Sequence, residues 1–226
     1  MSFDWVLFDA DETLFKFDSY EGLRRMFSSF DVNFTREDFD LYQACNLRLW
    51  KLYQSGEIEV EVLKHQRFEA WAKKLEVTTE LLNKRFLEHM ADVCHLLPGV
   101  QALLSDLKRS CKLGIITNGF TDLQQARLER QGLSDTFDLL IISEEVGAAK
   151  PSKQIYQHAY EKMGSPDKEK VLMVGDNPIA DVGGAKQFGF KTCWYNPHSV
   201  QPAQVVDTDI EVNHHDQLSA WIKSRN

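Results

Sequence analysis

The chain has little cysteine and no paired-cysteine pattern. Its four cysteines, Cys45, Cys94, Cys111 and Cys193, lie far apart with no C-x-x-C spacing. That excludes a disulfide framework and is the usage expected of reduced structural thiols in a cytoplasmic protein. The seven histidines form no H-E-x-x-H or Cys/His ligand set, and His214-His215 reads as a solvated pair near the C-terminus. No run approaches the roughly 18 apolar residues of a membrane span. The N-terminus turns acidic within four residues and its first apolar run is short, so no signal peptide is expected. Basic residues are also in deficit, with 26 Lys and Arg against 34 Asp and Glu and a formal net charge of -8. This argues against a nucleic-acid groove, which needs clustered positive charge. It leaves a small phosphorylated molecule open, because one cation and a local lysine or two can reverse the field in a pocket. Internal repeats and low-complexity linkers are absent. The expected partner is therefore a small molecule rather than a nucleic acid or a membrane, and the expected state is a monomer or weak homodimer.

What remains is an ordinary globular composition, 43% hydrophobic and 27% charged over 226 residues, enough for a core domain carrying a smaller insert. Trp5-Val6-Leu7-Phe8 reads as a buried strand, and Asp9 and Asp11 follow directly at its end. Two acids at that spacing repel unless a cation lies between them or one holds a proton.

From about residue 18 to 95 the rhythm is helical. Leu23, Met26, Phe27 and Phe30 share one helix face. Thr35 reads as an N-cap with Asp38 three residues on, before a helix bearing Phe39, Tyr42, Leu49, Trp50 and Tyr53 that Ser55-Gly56 closes. A third helix is expected from Val60 to Leu75 with Phe68, Trp71, Ala72 and Leu75 inward, and a fourth after a cap at Thr79. Short connections make this a small bundle. After Leu97-Pro98-Gly99, apolar runs alternate with helical stretches. Strands are expected at Lys112–Ile116, Leu139–Ile142, Val171–Val174, Lys191–Tyr195 and Ile210–Val212. Between them lie a helix from Leu123 to Gln131 ending at Gly132, a loop from Ser143 to Lys150, a helix opened by Pro151, and one bearing Ile179, Val182 and Ala185. Continuously apolar strands alternating with helices specify an α/β fold, a parallel sheet covered on both faces. The expected division is a Rossmann-like core of residues 1–17 and 96–226, with an α-helical cap of residues 18–95 inserted.

Polar residues able to do chemistry follow strands at four places: Asp9 with Asp11, Thr117 with Asn118, Lys150, and Asp176 with Asp181. In an open parallel sheet these converge beyond the carboxyl ends of the strands. Together they fit phosphoryl transfer. Asp9 is an oxygen nucleophile able to form an aspartyl-phosphate. Mg²⁺ held by Asp9 and Asp176 would offset the repulsion between carboxylate and phosphate. Lys150 and the Thr117 hydroxyl, with nearby N–H groups, would hold phosphoryl oxygens. Asp11 would protonate the leaving oxygen and later deprotonate the attacking water. Asp181, one turn beyond Asp176, would orient a metal-bound water. Phe15 and Phe17 follow the nucleophile loop and are expected near the substrate.

The chain resembles haloacid dehalogenase-superfamily phosphatases over essentially its whole length. Asp9-Ala10-Asp11-Glu12-Thr13 resembles their D-x-D-x-T motif, Thr117 the end of the second motif strand, Lys150 the third motif, and Gly175-Asp176 through Asp181 the fourth. The resemblance implies a Rossmann-like core, obligate Mg²⁺ (with Mn²⁺ able to substitute), one metal ligand from the Asp11 backbone carbonyl, and a helical cap after the first motif. The commonest first motif has Gly where this chain has Glu12. With that departure, Thr117-Asn118-Gly119-Phe120 and the stretch Glu144 to Pro151 resemble the bacterial pyrimidine 5′-nucleotidase branch, which implies hydrolysis of dUMP, UMP and dTMP. The alternatives are a phosphatase or phosphomutase for a small sugar phosphate or phosphoglycolate, a 2-haloacid dehalogenase, and a non-enzymatic phosphoacceptor switch. A dehalogenase leaves Asp11, Asp176 and Asp181 unexplained, and receiver-type switches are about half this length.

Overall fold

The computed structural model describes residues 2–201 and 207–225. Six strands form one sheet: β1 (Trp5–Phe8), β2 (Lys112–Thr117), β3 (Leu139–Ile142), β4 (Val171–Gly175), β5 (Lys191–Tyr195) and β6 (Ile210–Val212). All five pairings are parallel, in the order β3-β2-β1-β4-β5-β6. This is the Rossmann order, whose direction of winding reverses beside β1.

Eleven α-helices are described. They are α1 (Ser19–Ser28), α2 (Arg36–Gln54), α3 (Val60–Gln66), α4 (Glu69–Leu75), α5 (Thr79–Val93), α6 (Val100–Leu107), α7 (Thr121–Arg130), α8 (Ser143–Val146), α9 (Lys153–Lys162), α10 (Gly184–Phe188) and α11 (His215–Lys223). None of the described helices is long and apolar enough to cross a membrane.

The chain divides into two compact units. One comprises residues 1–16, 95–121 and 131–226 and contains the sheet; the other comprises residues 17–94 and 122–130. Within the sheet unit, β1 is buried along its whole length because both of its faces are covered. Trp5 and Leu7 join Ile116, Met173 and the α9 and α10 residues Ile155, Tyr156, Ala185 and Phe188 in one cluster. Val6 and Phe8 point to the opposite face and are equally buried. Gly114 of β2 stands in register between Leu7 and Leu139, and a Cβ there would lie 2.7 Å from Leu7 Cδ2 and 3.2 Å from Leu139 Cβ.

The helical unit begins with α1, capped by the Asp18 side chain, which accepts from the Glu21 N–H at 3.0 Å. The Thr35–Asp38 capping box forms as its spacing requires, with both reciprocal bonds present. Phe27 stacks on Phe34 at 4.7 Å and meets Trp71 at 4.3 Å, a ring cluster at the heart of the bundle. Arg67 is buried between the rings of Phe68 and Phe86, with its guanidinium donating to Asn83.

Several local expectations differ from the structure. The helix expected over Val60–Leu75 is two helices, broken where Phe68 adopts φ -113 and ψ 0. Arg67 and Phe68, at the break, are both buried. The cap of α5 is Thr78, whose hydroxyl accepts from Leu81 N–H, and Thr79 is the first helical residue. The loop from Ser143 begins as a helical turn that Gly147 ends at φ +71. The helix expected to open at Pro151 starts at Lys153, because the Ser152 side chain supplies the cap. Residues 122–130 of α7 pack in the helical unit, where Arg130 pairs with Asp92 at 3.1 Å. His214 is exposed as expected, but His215 is buried inside the sheet unit.

Filling the space at Gly114 tests the sheet packing. The substitution Gly114→Ala should destabilise the protein by about 1–3 kcal/mol, read from urea unfolding, because the packed Leu7 must shift. An unchanged midpoint would contradict the tight β1–β2–β3 contact.

Candidate active site

β1 ends at Phe8, and its next residue is tied down at once: Asp9 N–H donates to Val174 O at 2.8 Å. The following turn folds back on itself, with Leu14 N–H and Phe15 N–H both donating to Ala10 O and Glu12 N–H donating to Phe15 O. Glu12 accordingly sits at φ +58, a left-handed conformation that favours glycine. The backbone thus explains physically why a glycine would be comfortable where this chain carries Glu12.

Lys150 is the hub. Its ammonium lies 2.5 Å from Asp9 Oδ1, 2.7 Å from Asp181 Oδ1 and 2.7 Å from Ile116 O. Those are three acceptors for its three N–H donors. Lys150 is 1% exposed, so its charge is taken out of water almost completely. Burial alone would lower its pKa, and the carboxylates of Asp181 and Asp9 outweigh that and raise it. Lys150 is therefore a fixed cation.

Asn118 sets where that cation sits. Its amide oxygen accepts from Lys150 N–H at 2.7 Å and its amide N–H donates to Lys150 O at 3.0 Å. The end of β2 thereby grips the main chain of the loop carrying Lys150. Thr117, 1% exposed, accepts from Gly119 N–H at 3.0 Å, which leaves its own proton available for a ligand oxygen.

Beyond β4, Asp176 N–H donates to Thr13 Oγ1 at 3.0 Å, and Trp194 Nε1–H donates to Asp176 O at 2.9 Å. A π-helical turn, Pro178–Gly183, then carries Asp181 back toward Lys150. Asn177 caps that turn through Ile179 and Ala180 N–H, and the Tyr156 hydroxyl donates to Ala180 O at 2.6 Å. The second oxygen of Asp181 accepts from Asn177 N–H at 3.0 Å.

Carboxylate oxygens of Asp9, Asp176 and Asp181 lie within 4.8 Å of one another. Against one ammonium, three ionised carboxylates leave an excess of two negative charges. Burial first, then the neighbouring carboxylates against the pull of Lys150, pushes Asp9 up to about 7. Burial, then Asp9 and Asp181, pushes Asp176 up to about 8. Protons or a divalent cation must offset such a cluster, and an all-oxygen donor set suits a hard ion such as Mg²⁺. The residues present fit that ion.

The structure thus brings Asp9, Lys150, Asp176 and Asp181 together directly, with Thr117 and Asn118 on the adjoining strand end. Asp11 is half-buried and its charge bears on Asp9. The Phe15 backbone bridges to Leu96 and its side chain is fully buried, so the ring faces protein rather than solvent. Phe17 is half-buried and belongs to the helical unit. Sequence reasoning missed Thr13, Tyr156 and Trp194 as supports of the acids. Thr13 could have been found from its place two residues beyond Asp11, whereas the other two carry no local signal.

The raised acids predict a pH dependence. In the metal-free protein Asp9 and Asp176 retain protons that the unfolded chain, with carboxyl pKa near 3.8, has lost. Their contribution to stability is therefore complete below that value and is lost as pH rises through about 7 and 8. Mg²⁺ replaces those protons, so the Mg²⁺-induced rise in Tm should grow from about pH 5.5 to about pH 8, measured by thermal unfolding with and without the ion. An increment independent of pH would count against this cluster as the metal site.

Comparison with known proteins agrees with this geometry. A family model for haloacid dehalogenase-like hydrolases matches residues 3–189. The chain is 53% identical over 209 residues to the pyrimidine 5′-nucleotidase YjjG of Escherichia coli, covering 92% of this chain and 93% of that protein. It is 32% identical over 206 residues to the pyrimidine 5′-nucleotidase PynA of Streptococcus pneumoniae, covering 89% and 87%. Among solved structures, the putative HAD-hydrolase YfnB of Bacillus subtilis bound to magnesium superposes with a TM-score of 0.86 at 26% identity, over 99% of this chain and 100% of that one. The chain belongs to the haloacid dehalogenase-like hydrolases.

Proposed function

We propose that this protein is a Mg²⁺-dependent 5′-nucleotidase that hydrolyses pyrimidine nucleoside monophosphates such as dUMP, UMP and dTMP. The observation that carries the chemistry is the buried Lys150 ammonium joining Asp9 to Asp181 beside Asp176. The substrate class rests on the similarity to two pyrimidine 5′-nucleotidases, each over most of the chain. In this reading residues 18–95 act as a cap inserted into a core of residues 1–17 and 96–226, and Phe17 is the aromatic residue available to a substrate.

Asp9, Asp176 and the backbone carbonyl of Asp11 would hold Mg²⁺, with Mn²⁺ able to substitute and Asp181 orienting its water shell. When bound, the ion neutralises charge on the phosphate and keeps Asp9 ionised. A carboxylate oxygen of Asp9 attacks phosphorus, forming the aspartyl-phosphate as the bond to the ester oxygen breaks. Asp11 gives its proton to that leaving oxygen. It then takes a proton from water, which attacks the same phosphorus and releases phosphate and the Asp9 carboxylate. The Thr117 hydroxyl donates to a phosphoryl oxygen, the charge of the nearby Lys150 ammonium offsets that of the phosphoryl group, and Asn118 keeps Lys150 in place.

Phosphate release from a panel of nucleoside monophosphates and sugar phosphates, with and without Mg²⁺, tests this reading. Pyrimidine monophosphates should be the best substrates; a preference for a sugar phosphate would reassign the substrate class. Asp9→Asn, nearly isosteric, should lower turnover on the order of 10³-fold or more while leaving Tm within a few degrees. Asp11→Asn should slow both steps, so that acid-quenched samples with p-nitrophenyl phosphate contain trapped phosphoprotein. Parent-like turnover in either variant would overturn the role given to that residue.

A further inference from the structure

His215 is the first residue of α11 and is 1% exposed. Both of its ring nitrogens face main-chain carbonyls: Nδ1 lies 3.0 Å from Pro98 O and Nε2 lies 2.9 Å from Thr13 O. Carbonyl oxygens only accept, so each contact needs a proton on its ring nitrogen: the cation donates to both, and the neutral ring, which burial favours, donates to one. Tyr195 packs on the ring, with centroids 4.4 Å apart and planes at 32°. Gly99, at φ +85, leaves room for it, since a Cβ there would lie 3.1 Å from His215 Cβ. The imidazole is therefore held on three sides, and its two polar contacts fall on functionally placed segments.

Those segments are the one leaving β1 and the one entering α6. They are already joined to each other, Leu97 N–H donating to Leu14 O at 2.9 Å and Lys16 N–H to His95 O at 2.8 Å. His215 adds the bond that reaches Thr13 itself. The Thr13 hydroxyl accepts from Asp176 N–H at 3.0 Å and lies 3.4 Å from Asp176 Oδ1. A continuous path thus runs from the C-terminal helix through Thr13 to an acid of the carboxylate cluster.

We propose that His215 is a positioning residue for the divalent-ion site: its Nε2–H bond to Thr13 O holds the Thr13 hydroxyl where it orients Asp176. This rests on the reading that Asp9 and Asp176 hold Mg²⁺. It concerns no group that touches the substrate. Residues that orient metal ligands are usually worth about 10- to 100-fold in metal affinity.

Two replacements separate the two bonds. In His215→Gln the amide nitrogen occupies the Nε2 position toward Thr13, and in His215→Asn it occupies the Nδ1 position toward Pro98. Calorimetric titration of the metal-free, full-length proteins with MgCl₂ alone should show His215→Asn binding about tenfold more weakly than the parent. His215→Gln should stay within about threefold of it. Thermal unfolding without Mg²⁺ reports the packing cost separately. Equal Mg²⁺ affinity in parent and His215→Asn would reduce His215 to a packing role, and a parent that binds no Mg²⁺ would overturn the metal-site reading first. The unaltered protein provides a test independent of variant folding. In its ¹⁵N-imidazole NMR spectrum, Nε2 of His215 should carry a proton whose signal moves on adding Mg²⁺. An unprotonated Nε2 would overturn the proposal.

Discussion

The site depends on one buried ammonium. Lys150 sits among Asp9, Asp181 and Ile116 O with each N–H used, and without it the carboxylates beside β1 and β4 would face one another across a dry interior. A lysine serves here because its charge is compact and its three donors can point at three separate acceptors. The arrangement is still not neutral. Burial first, and then the surplus of acid that Lys150 leaves, raises Asp9 and Asp176 and makes the cluster a place for a divalent ion. Repulsion that would be a defect in an ordinary core therefore becomes a binding device.

Much of this was legible in the residues. Strands such as Trp5–Phe8 and Val171–Gly175 are short apolar runs with polar residues behind them, and their burial on both faces leaves little ambiguity of type. Asp9 and Asp176 directly follow strands, so a parallel sheet gathers them, and Lys150 follows β3 after one helical turn and a short loop. What could not be read depends on contacts distant in sequence. Asn118 looks like a turn residue, and only the fold brings it to the main chain of Lys150. His215 looks like half of a solvated pair, because nothing local announces two carbonyls more than a hundred residues away. Phe15 shows that closeness in sequence to Asp9 is not exposure: its backbone is paired and its side chain is fully buried. The split between α3 and α4 escaped because its apolar residues keep helical spacing across the break at Phe68.

The supports of the acids share a pattern. Thr13, Trp194, Asn177 and Tyr156 all act on main-chain groups or on the second oxygen of a carboxylate rather than replacing a ligand. Each fixes a backbone position, and a fixed backbone with short Asp side chains leaves few rotamers to lose when a ligand binds. The acids are thus held through the main chain, Asp9 and Asp176 just beyond strands and Asp181 in the π-helical turn.

The placement of β1 also bears on how the protein is made. This strand is sequence residues 5–8, yet its two neighbours are β2 at residues 112–117 and β4 at residues 171–175. During synthesis β1 must wait until β2 is complete at residue 117, about half of the 226-residue chain, before either edge is covered. The helices of residues 19–93 belong to one compact unit and are all synthesised in that interval. An apolar strand with both edges open is the segment a nascent chain can least leave exposed, so the growing polypeptide is most vulnerable to misassociation before β2 is complete.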